Sequence, residues 1–338
     1  MKRIGIICPS EIAFRRFLPA LKEAGCFEYA GVAIANKEEF KGATDEILAK
    51  ERAKAQTFVD NYDGKIYEGY KTLIESEDVD AVYLPLPPGL HYQWAKTALA
   101  AGKHILVEKP CTTALSKTQD LLSDAANKGL AVHENYMFAF HDQLEAVNDI
   151  VKSGEIGDVR LYRISFGFPM RAQNDFRYNK ALGGGALLDC GGYTFKYASL
   201  LLGPTAKMKY AQSNNIVGFN VDMYGSAALV NDEGVTAQVA FGMDHNYKCE
   251  LEVWGSKGTI FTNRILTAPA GFVPEVTIRK GNDEEKRNLP ADDAFKKSIL
   301  HFSQCIADEN TRKANYQTHL QQATLVEDFK RLAGVDIQ

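Results

Sequence analysis

Along the first part of the chain, short apolar blocks alternate with longer segments whose apolar residues recur at helical spacing. Lys2 to Ile7 reads as a buried strand. Ile12 to Gly25 places Ile12, Phe17, Leu18, Leu21 and Ala24 on a helical repeat, and Gly25 stops it. Phe27 to Ala35 is a second strand, Asp45 to Asn61 a long polar helix, and Lys65 to Tyr67 a third strand. A short helix from Tyr70 to Glu75 leads to a fourth strand, Asp80 to Leu86. Pro87 to His91 forms a rigid turn before a helix from Tyr92 to Ala101. Gly102 caps that helix, and Ile105 to Val107 is a fifth strand ending in Glu108-Lys109-Pro110. Leu115 to Lys128 is helical and Leu130 to Asn135 is a sixth strand. Strands and helices that alternate this regularly predict a doubly wound parallel sheet with right-handed crossovers.

After a helix from Asp142 to Ser153 the pattern changes. Val159 to Phe168, Val221 to Val230 and Val235 to Phe241 are long and alternating, the last two joined by the hairpin loop Asn231-Asp232-Glu233-Gly234. Cys249 to Trp254, Gly258 to Phe261, Glu275 to Arg279 and Lys286 to Leu289 add strands. One helix, Gly185 to Leu202, interrupts the series; Ala294 to Asp308 and Tyr316 to Ala333 end it. This predicts a second, α+β domain built on an open, largely antiparallel sheet. The expected domains are 1–120 and 121–338.

Composition narrows the function classes. The chain has 338 residues, 45% apolar and 24% charged, which suits two soluble globular domains. A net charge of -4 without a dense basic patch argues against a nucleic-acid partner. The six cysteines are scattered with no C-x-x-C pair, and the seven histidines show no ligand spacing. No metal is expected, and reduced thiols fit a cytoplasmic protein. The opening apolar run, Ile4 to Cys8, is too short for a signal peptide or a membrane span.

The chemistry is expected outside the carboxyl ends of the parallel strands. The turn after the first strand, Cys8-Pro9-Ser10-Glu11-Ile12-Ala13, stands where a dinucleotide pyrophosphate meets a helix N-terminus. Against the fingerprint G-x-G-x-x-G/A only Ala13 fits; Cys8 and Ser10 occupy the glycine positions. Ser10 offers a hydroxyl, Glu11 is electrostatically unfavourable unless it turns to a ribose or solvent, and Arg15 and Arg16 either supply positive charge or form a solvated face. The second strand ends at Asn36-Lys37 without the acidic residue that would mark NAD. NADP(H) is therefore favoured over NAD(H), a preference that neighbouring Glu38 keeps modest. His91 reads as a solvated helix residue or as a polar group lining the cofactor cleft. The expected cofactor contacts are Ser10, Glu11, Ile12, Ala13, Asn36, Lys37, Leu86, Pro87, His91, Glu108 and Lys109.

In the second domain, Gly183-Gly184-Gly185 open the interrupting helix and let its backbone approach a ligand closely. Asp189 and Tyr193 are four residues apart and share a helix face, with Lys196 on much the same side. Gly191 and Gly192 cost about 1 kcal/mol each relative to alanine within a helix, so something is expected to pack against that backbone. Arg171 and Arg177 are candidates for an anionic substrate group, or merely solvated.

Four segments, GKHILVEKP (Gly102 to Pro110), VYLPLPPGLHYQWA, GGGALLD-x-G-x-Y and WGSKGTI (Trp254 to Ile260), occur in an order that resembles the Gfo/Idh/MocA oxidoreductases from about residue 2 to about residue 330. The resemblance implies an N-terminal Rossmann domain that binds a nicotinamide dinucleotide. It also implies a C-terminal sheet domain for substrate binding and oligomerisation, as homodimer or homotetramer, and sugar-like or cyclic polyol substrates. The lysine of the E-K-P motif is Lys109, which would contact the nicotinamide ribose and the reacting oxygen. Asp189 matches the family's aspartate. Tyr193 stands where many members carry histidine, as in the glucose–fructose oxidoreductase, dihydrodiol dehydrogenase and sugar-nucleotide ketoreductase branches.

The expected enzyme is an NAD(P)-dependent oxidoreductase moving hydride between nicotinamide and a sugar, sugar-nucleotide or cyclic polyol. Tyr193 would be proton donor or acceptor. Its unperturbed pKa is about 10, which the Lys109 cation would lower. Asp189 would orient the substrate or Lys109; Lys109, Arg177, Asp189 and Tyr193 would contact substrate. Two rival readings are a non-catalytic nucleotide- or sugar-sensing regulator on the same fold, and an aldose or trans-dihydrodiol dehydrogenase.

Overall fold

The computed structural model describes residues 1–40 and 42–335. The chain forms two compact units, Met1–Asn135 with Phe295–His319, and Tyr136–Ala294 with the chain from Leu320 on. The expected boundary at 120/121 is therefore displaced to 135/136. The reason is the sixth strand: it pairs in register with the fifth and completes the first sheet.

In the first unit, β1 (Lys2–Ile7), β2 (Phe27–Ile34), β3 (Lys65–Glu68), β4 (Ala81–Leu84), β5 (His104–Glu108) and β6 (Val132–Asn135) form one sheet in the order β3-β2-β1-β4-β5-β6. Every pair is parallel. The order reverses between β1 and β4, which creates the switch-point crevice where doubly wound sheets take ligands. Residues 4–7, 81–84 and 105–107 are almost wholly buried, as strands covered on both faces must be. The covering helices are α1 (Leu18–Ala24), α2 (Asp45–Tyr62), α3 (Tyr70–Glu75), α4 (Pro88–Ala100) and α5 (Leu115–Lys128). Helix α4 begins four residues before the expected Tyr92, because Pro88 suits a first helical position.

The second unit holds α6 (Asp142–Lys152) and an eight-stranded sheet. Its strands are β7 (Val159–Gly167), β8 (Lys207–Asn214), β9 (Tyr224–Val230), β10 (Thr236–Gly242), β11 (Lys248–Gly255), β12 (Thr259–Asn263), β13 (Glu275–Lys280) and β14 (Asp283–Asn288). All neighbours are antiparallel except β7 and β10. A π-helical turn, Leu187–Gly191, runs into α7 (Gly192–Leu202), which packs on β7 and β10. The chain ends in α8 (Ala294–Ala307) and α9 (Glu309–Ala333). Phe195, Phe241 and Phe329 fill the layer between α7, the sheet and the end of α9, with ring centroids 5.4–5.8 Å apart.

Candidate active site

In the first unit the turn after β1 leads directly into the next helix despite its altered glycine positions. Cys8 adopts φ 82°, the left-handed conformation that a glycine would supply. The Ser10 Oγ accepts the Ala13 N–H at 3.3 Å, so Ser10 caps the turn and its hydroxyl hydrogen points elsewhere. Ala13 is fully buried, Ile12 is half-buried and Glu11 is exposed. Arg15 and Arg16 are exposed too. A groove of about 700 Å³ runs beside this turn, lined by Ser10, Glu11, Phe14 and the α2 residues Lys50, Lys54 and Thr57.

The loop after β2 is held by its own side chains. Asn36 Oδ1 accepts the Glu38 and Glu39 N–H groups, both at 3.0 Å. Glu39 in turn accepts the N–H groups of Asn36, Tyr70 and Lys71 at 2.8–3.1 Å, which caps α3 from a distance. Lys37 is exposed and paired with Asp45 at 2.6 Å. A cofactor phosphate at Lys37 has to compete with that carboxylate.

At the ends of β4 and β5 the sequence expectation needs correction. His91 neither faces solvent nor lines a cleft. It has no exposed surface, and its Nδ1 and Nε2 lie 2.8 and 2.7 Å from the carbonyl oxygens of Pro110 and Leu86. Leu86 is buried and Pro87 half-buried. Glu108 is buried; its Oε1 accepts both the Tyr83 hydroxyl and the Asn135 Nδ2 at 2.7 Å. Burial pushes its pKa up, against these two donors and Lys109. Glu108 therefore fixes the backbone that carries Lys109, which is half-buried and follows at once. Tyr83 and Asn135 escaped the sequence reading, although both sit at the C-terminal ends of strands.

In the second unit Asp189 lies on the π-helical turn and Tyr193 one turn later on α7. Tyr193 is nearly buried among Tyr136, Phe138 and Phe166, with centroids 5.2–5.6 Å away. Lys196 is buried as well. Asp189 Oδ2 accepts Arg177 Nε at 2.6 Å, and Arg177 Nη1 also donates to Asp175 at 3.1 Å. Arg177 thus spends its charge on two carboxylates rather than standing open to an anion. Arg171 is exposed, its guanidinium 5.1 Å from the Phe168 ring.

The glycines around this helix answer to protein groups. A β-carbon on Gly184 would lie 2.4 Å from the Arg177 carbonyl oxygen, and one on Gly192 would lie 2.2 Å from the Tyr136 hydroxyl. Gln322 of α9 donates to the Gly192 carbonyl at 2.8 Å, which ties α9 to the first residue of α7. The backbone contact expected at Gly191 and Gly192 is thus made by aromatic side chains.

Two family models match this chain. One, an oxidoreductase family with an NAD-binding Rossmann fold, covers residues 4–136; the other, the Gfo/Idh/MocA C-terminal domain, covers residues 144–261. The chain belongs to the Gfo/Idh/MocA oxidoreductase family. It is an oxidoreductase, which sets aside the regulator alternative. Among curated relatives it is 38% identical over 335 residues to a dTDP-3,4-didehydro-2,6-dideoxy-alpha-D-glucose 3-reductase of Actinomadura kijaniata, spanning 99% of this chain and 96% of the relative. It is 36% identical to a reductase of the same name from Saccharopolyspora spinosa, over 96% and 95% of the two chains. A crystal structure of a 3-ketoreductase from Actinomadura kijaniata in complex with NADP and TDP-benzene matches with a TM-score of 0.89 and 38% identity, over 98% and 97% of the two chains. Among the described residues of this family member, no group of His, Cys, Asp and Glu side chains forms a metal cage. No helix among them is long and apolar enough to cross a membrane.

Proposed function

We propose that this enzyme is an NADP(H)-dependent ketoreductase of a nucleotide-linked sugar. The observation that carries the reading is the likeness, over 99% of the chain, to a reductase of a dTDP-linked keto sugar. Site geometry supports it. The left-handed Cys8, the Ser10 cap and the buried Ala13 fit a pyrophosphate at the helix start, where Ser10 to Ala13 would hold it. Asn36 and Lys37 would meet the adenosine ribose and its 2′-phosphate. When bound, the reduced nicotinamide supplies hydride.

The protein then has one proton and one developing charge to manage. A ketone oxygen that receives hydride at carbon becomes an alkoxide, which needs a donor within about 2.6–3.2 Å. Tyr193 is that donor, its ring orientation fixed by three aromatic neighbours. Lys109, on a backbone that buried Glu108 anchors, stabilises the oxyanion as it forms. Asp189, already neutralised by Arg177, orients rather than accepts a proton. With Arg177 committed, Arg171 is the better candidate for the diphosphate of the substrate. Copies of the chain would associate through the open face of the eight-stranded sheet, where Trp254 is 50% exposed.

The test is a set of three measurements on the parent, Tyr193→Phe and Lys109→Ala. Turnover of a dTDP-linked 3-keto sugar should fall by about 10²-fold or more in each, the range lost with a general acid. Nicotinamide fluorescence should show NADPH binding retained by Tyr193→Phe, and NADPH preferred over NADH by the parent. Full turnover in Tyr193→Phe would remove the proton-donor assignment. Faster turnover of free aldoses or dihydrodiols would replace the substrate class.

A further inference from the structure

Asp222, in the segment before β9, reaches the start of the helix that bears Asp189 and Tyr193. Its Oδ2 accepts the Leu187 N–H at 2.6 Å, and its backbone carbonyl accepts the Ala186 N–H at 2.8 Å. These are first-turn N–H groups, which a helix leaves without intrahelical partners. The residues before them, Gly183 to Gly185, have no side chains with which to cap. Gly185 sits at φ 119°, and a β-carbon there would lie 2.1 Å from Asp222 Oδ1. Glycine at 185 is thus the condition for Asp222 to come in.

The far side of the same turn closes the arrangement. The Gly185 N–H donates to the Arg177 carbonyl at 2.9 Å, and the Asp189 N–H donates to the Gly185 carbonyl at 3.1 Å. The Arg177 side chain in turn holds Asp189 at 2.6 Å. Asp222 on one side and Arg177 on the other grip the three residues that set where the π-helical turn begins. A shift there carries both Asp189 and, one turn on, Tyr193. Burial pushes the Asp222 pKa up to about 6, against the two N–H donors and the Lys330 cation of α9. A carboxylate held away from water costs stability, which the hydrogen bonds it makes to the helix start offset.

We infer that Asp222 is a positioning residue for the reaction: its carboxylate fixes the first turn of the helix and thereby the Tyr193 hydroxyl, without touching substrate. The inference rests on Tyr193 being the proton donor. It predicts a split between kcat and binding. In Asp222→Ala, kcat should fall at least tenfold while the KM for substrate and the affinity for NADPH change less than threefold. In Asp222→Asn, which keeps a neutral acceptor of the same shape, kcat should fall only about threefold.

The second readout needs no turnover. Amide hydrogen exchange of the full-length protein without cofactor should speed up at 185–189 in Asp222→Ala, and less in Asp222→Asn, while β9 and β10 stay protected. Unchanged exchange at 185–189 overturns the inference. So does faster exchange with unchanged kcat when Tyr193→Phe loses turnover. If neither Asp222→Ala nor Tyr193→Phe loses turnover, the proton-donor reading fails and takes this inference with it. Should Asp222→Ala not fold, Asp222→Asn carries both readouts, and parental exchange and kcat in that variant overturn the proposal.

Discussion

His91 ties together two strand ends that the site depends on. Both ring nitrogens face carbonyl oxygens, of Leu86 and Pro110, yet the neutral ring has only one N–H. Burial is the larger influence and lowers its pKa to about 4, with Lys109 adding to the effect. The unfolded chain takes up this proton near pH 6.5 and the folded chain only near 4, so the contribution of His91 to stability is complete above 6.5 and falls as pH drops toward 4. His104 acts in the same sense, whereas Asp222, raised to about 6, acts in the opposite sense over part of this window. The informative quantity is therefore the difference between variant and parent. His91→Gln should be destabilised less at pH 5 than at pH 7.5, as read by urea unfolding at both. Cys8 makes a second prediction at this scale. Its φ of 82° is costly for any β-carbon and most costly for a branched one. Cys8→Gly should keep NADPH affinity within about threefold, because it relieves the backbone strain and removes only the thiol that meets Tyr70. Cys8→Val should lose most of that affinity in the same fluorescence titration.

At the scale of elements, α3 is six residues long and has Gly69 where a capping side chain would stand. Glu39 supplies the cap from the loop after β2, and so couples that loop to the helix. Glu39→Ala should cost about 1 kcal/mol in thermal or urea unfolding. It should also weaken NADPH binding more than NADH binding, since Asn36 and Lys37 lose their frame; equal weakening would detach Glu39 from the 2′-phosphate. What the sequence made legible follows the strength of local signals. The alternation from Lys2 to Asn135 and the hairpin at Asn231–Gly234 gave both sheets, because period and turn chemistry are local. Lys207–Asn214 was missed as a strand because only Met208 and Ala211 turn inward and the register slips between Met208 and Tyr210. Lys109, Asp189 and Tyr193, the residues of the proposed site, were singled out through motif. Tyr83, Asn135 and Asp222 were not, because each acts through hydrogen bonds to residues distant in sequence. The glycines of the GGG run pointed to a close approach, but what approaches there is Arg177 and Asp222.

The chain returns to its first unit, through Phe295–His319, after building most of the second, and this decides how it can be cut. Ser298 Oγ donates to Asn135 Oδ1 at 2.8 Å, and His133 Nε2 lies 2.9 Å from the same Ser298 oxygen. Asn315 Nδ2 donates to the Val132 carbonyl at 2.9 Å, the Glu134 N–H donates to His319 Nε2 at 3.1 Å, and the Tyr316 hydroxyl donates to the Leu130 carbonyl. Four of the five groups served lie on β6, the edge strand of the parallel sheet, and an edge left open invites aggregation. Phe302 stacks on Phe27 at 5.5 Å, and Phe295 meets Phe17 at 6.4 Å. A fragment of residues 1–135 keeps every strand of the sheet, yet leaves His133 and Asn135 without these partners and uncovers two phenylalanines. Each buried polar group left unsatisfied costs about 1–3 kcal/mol, a large share of the stability of a domain this size. Residues 1–135 alone should therefore show no cooperative thermal transition by circular dichroism. The same fragment joined by a flexible linker to residues 295–319 should show one, and should bind NADPH. A cooperative transition in the short fragment would mean that the return segment adds packing but does not complete the fold.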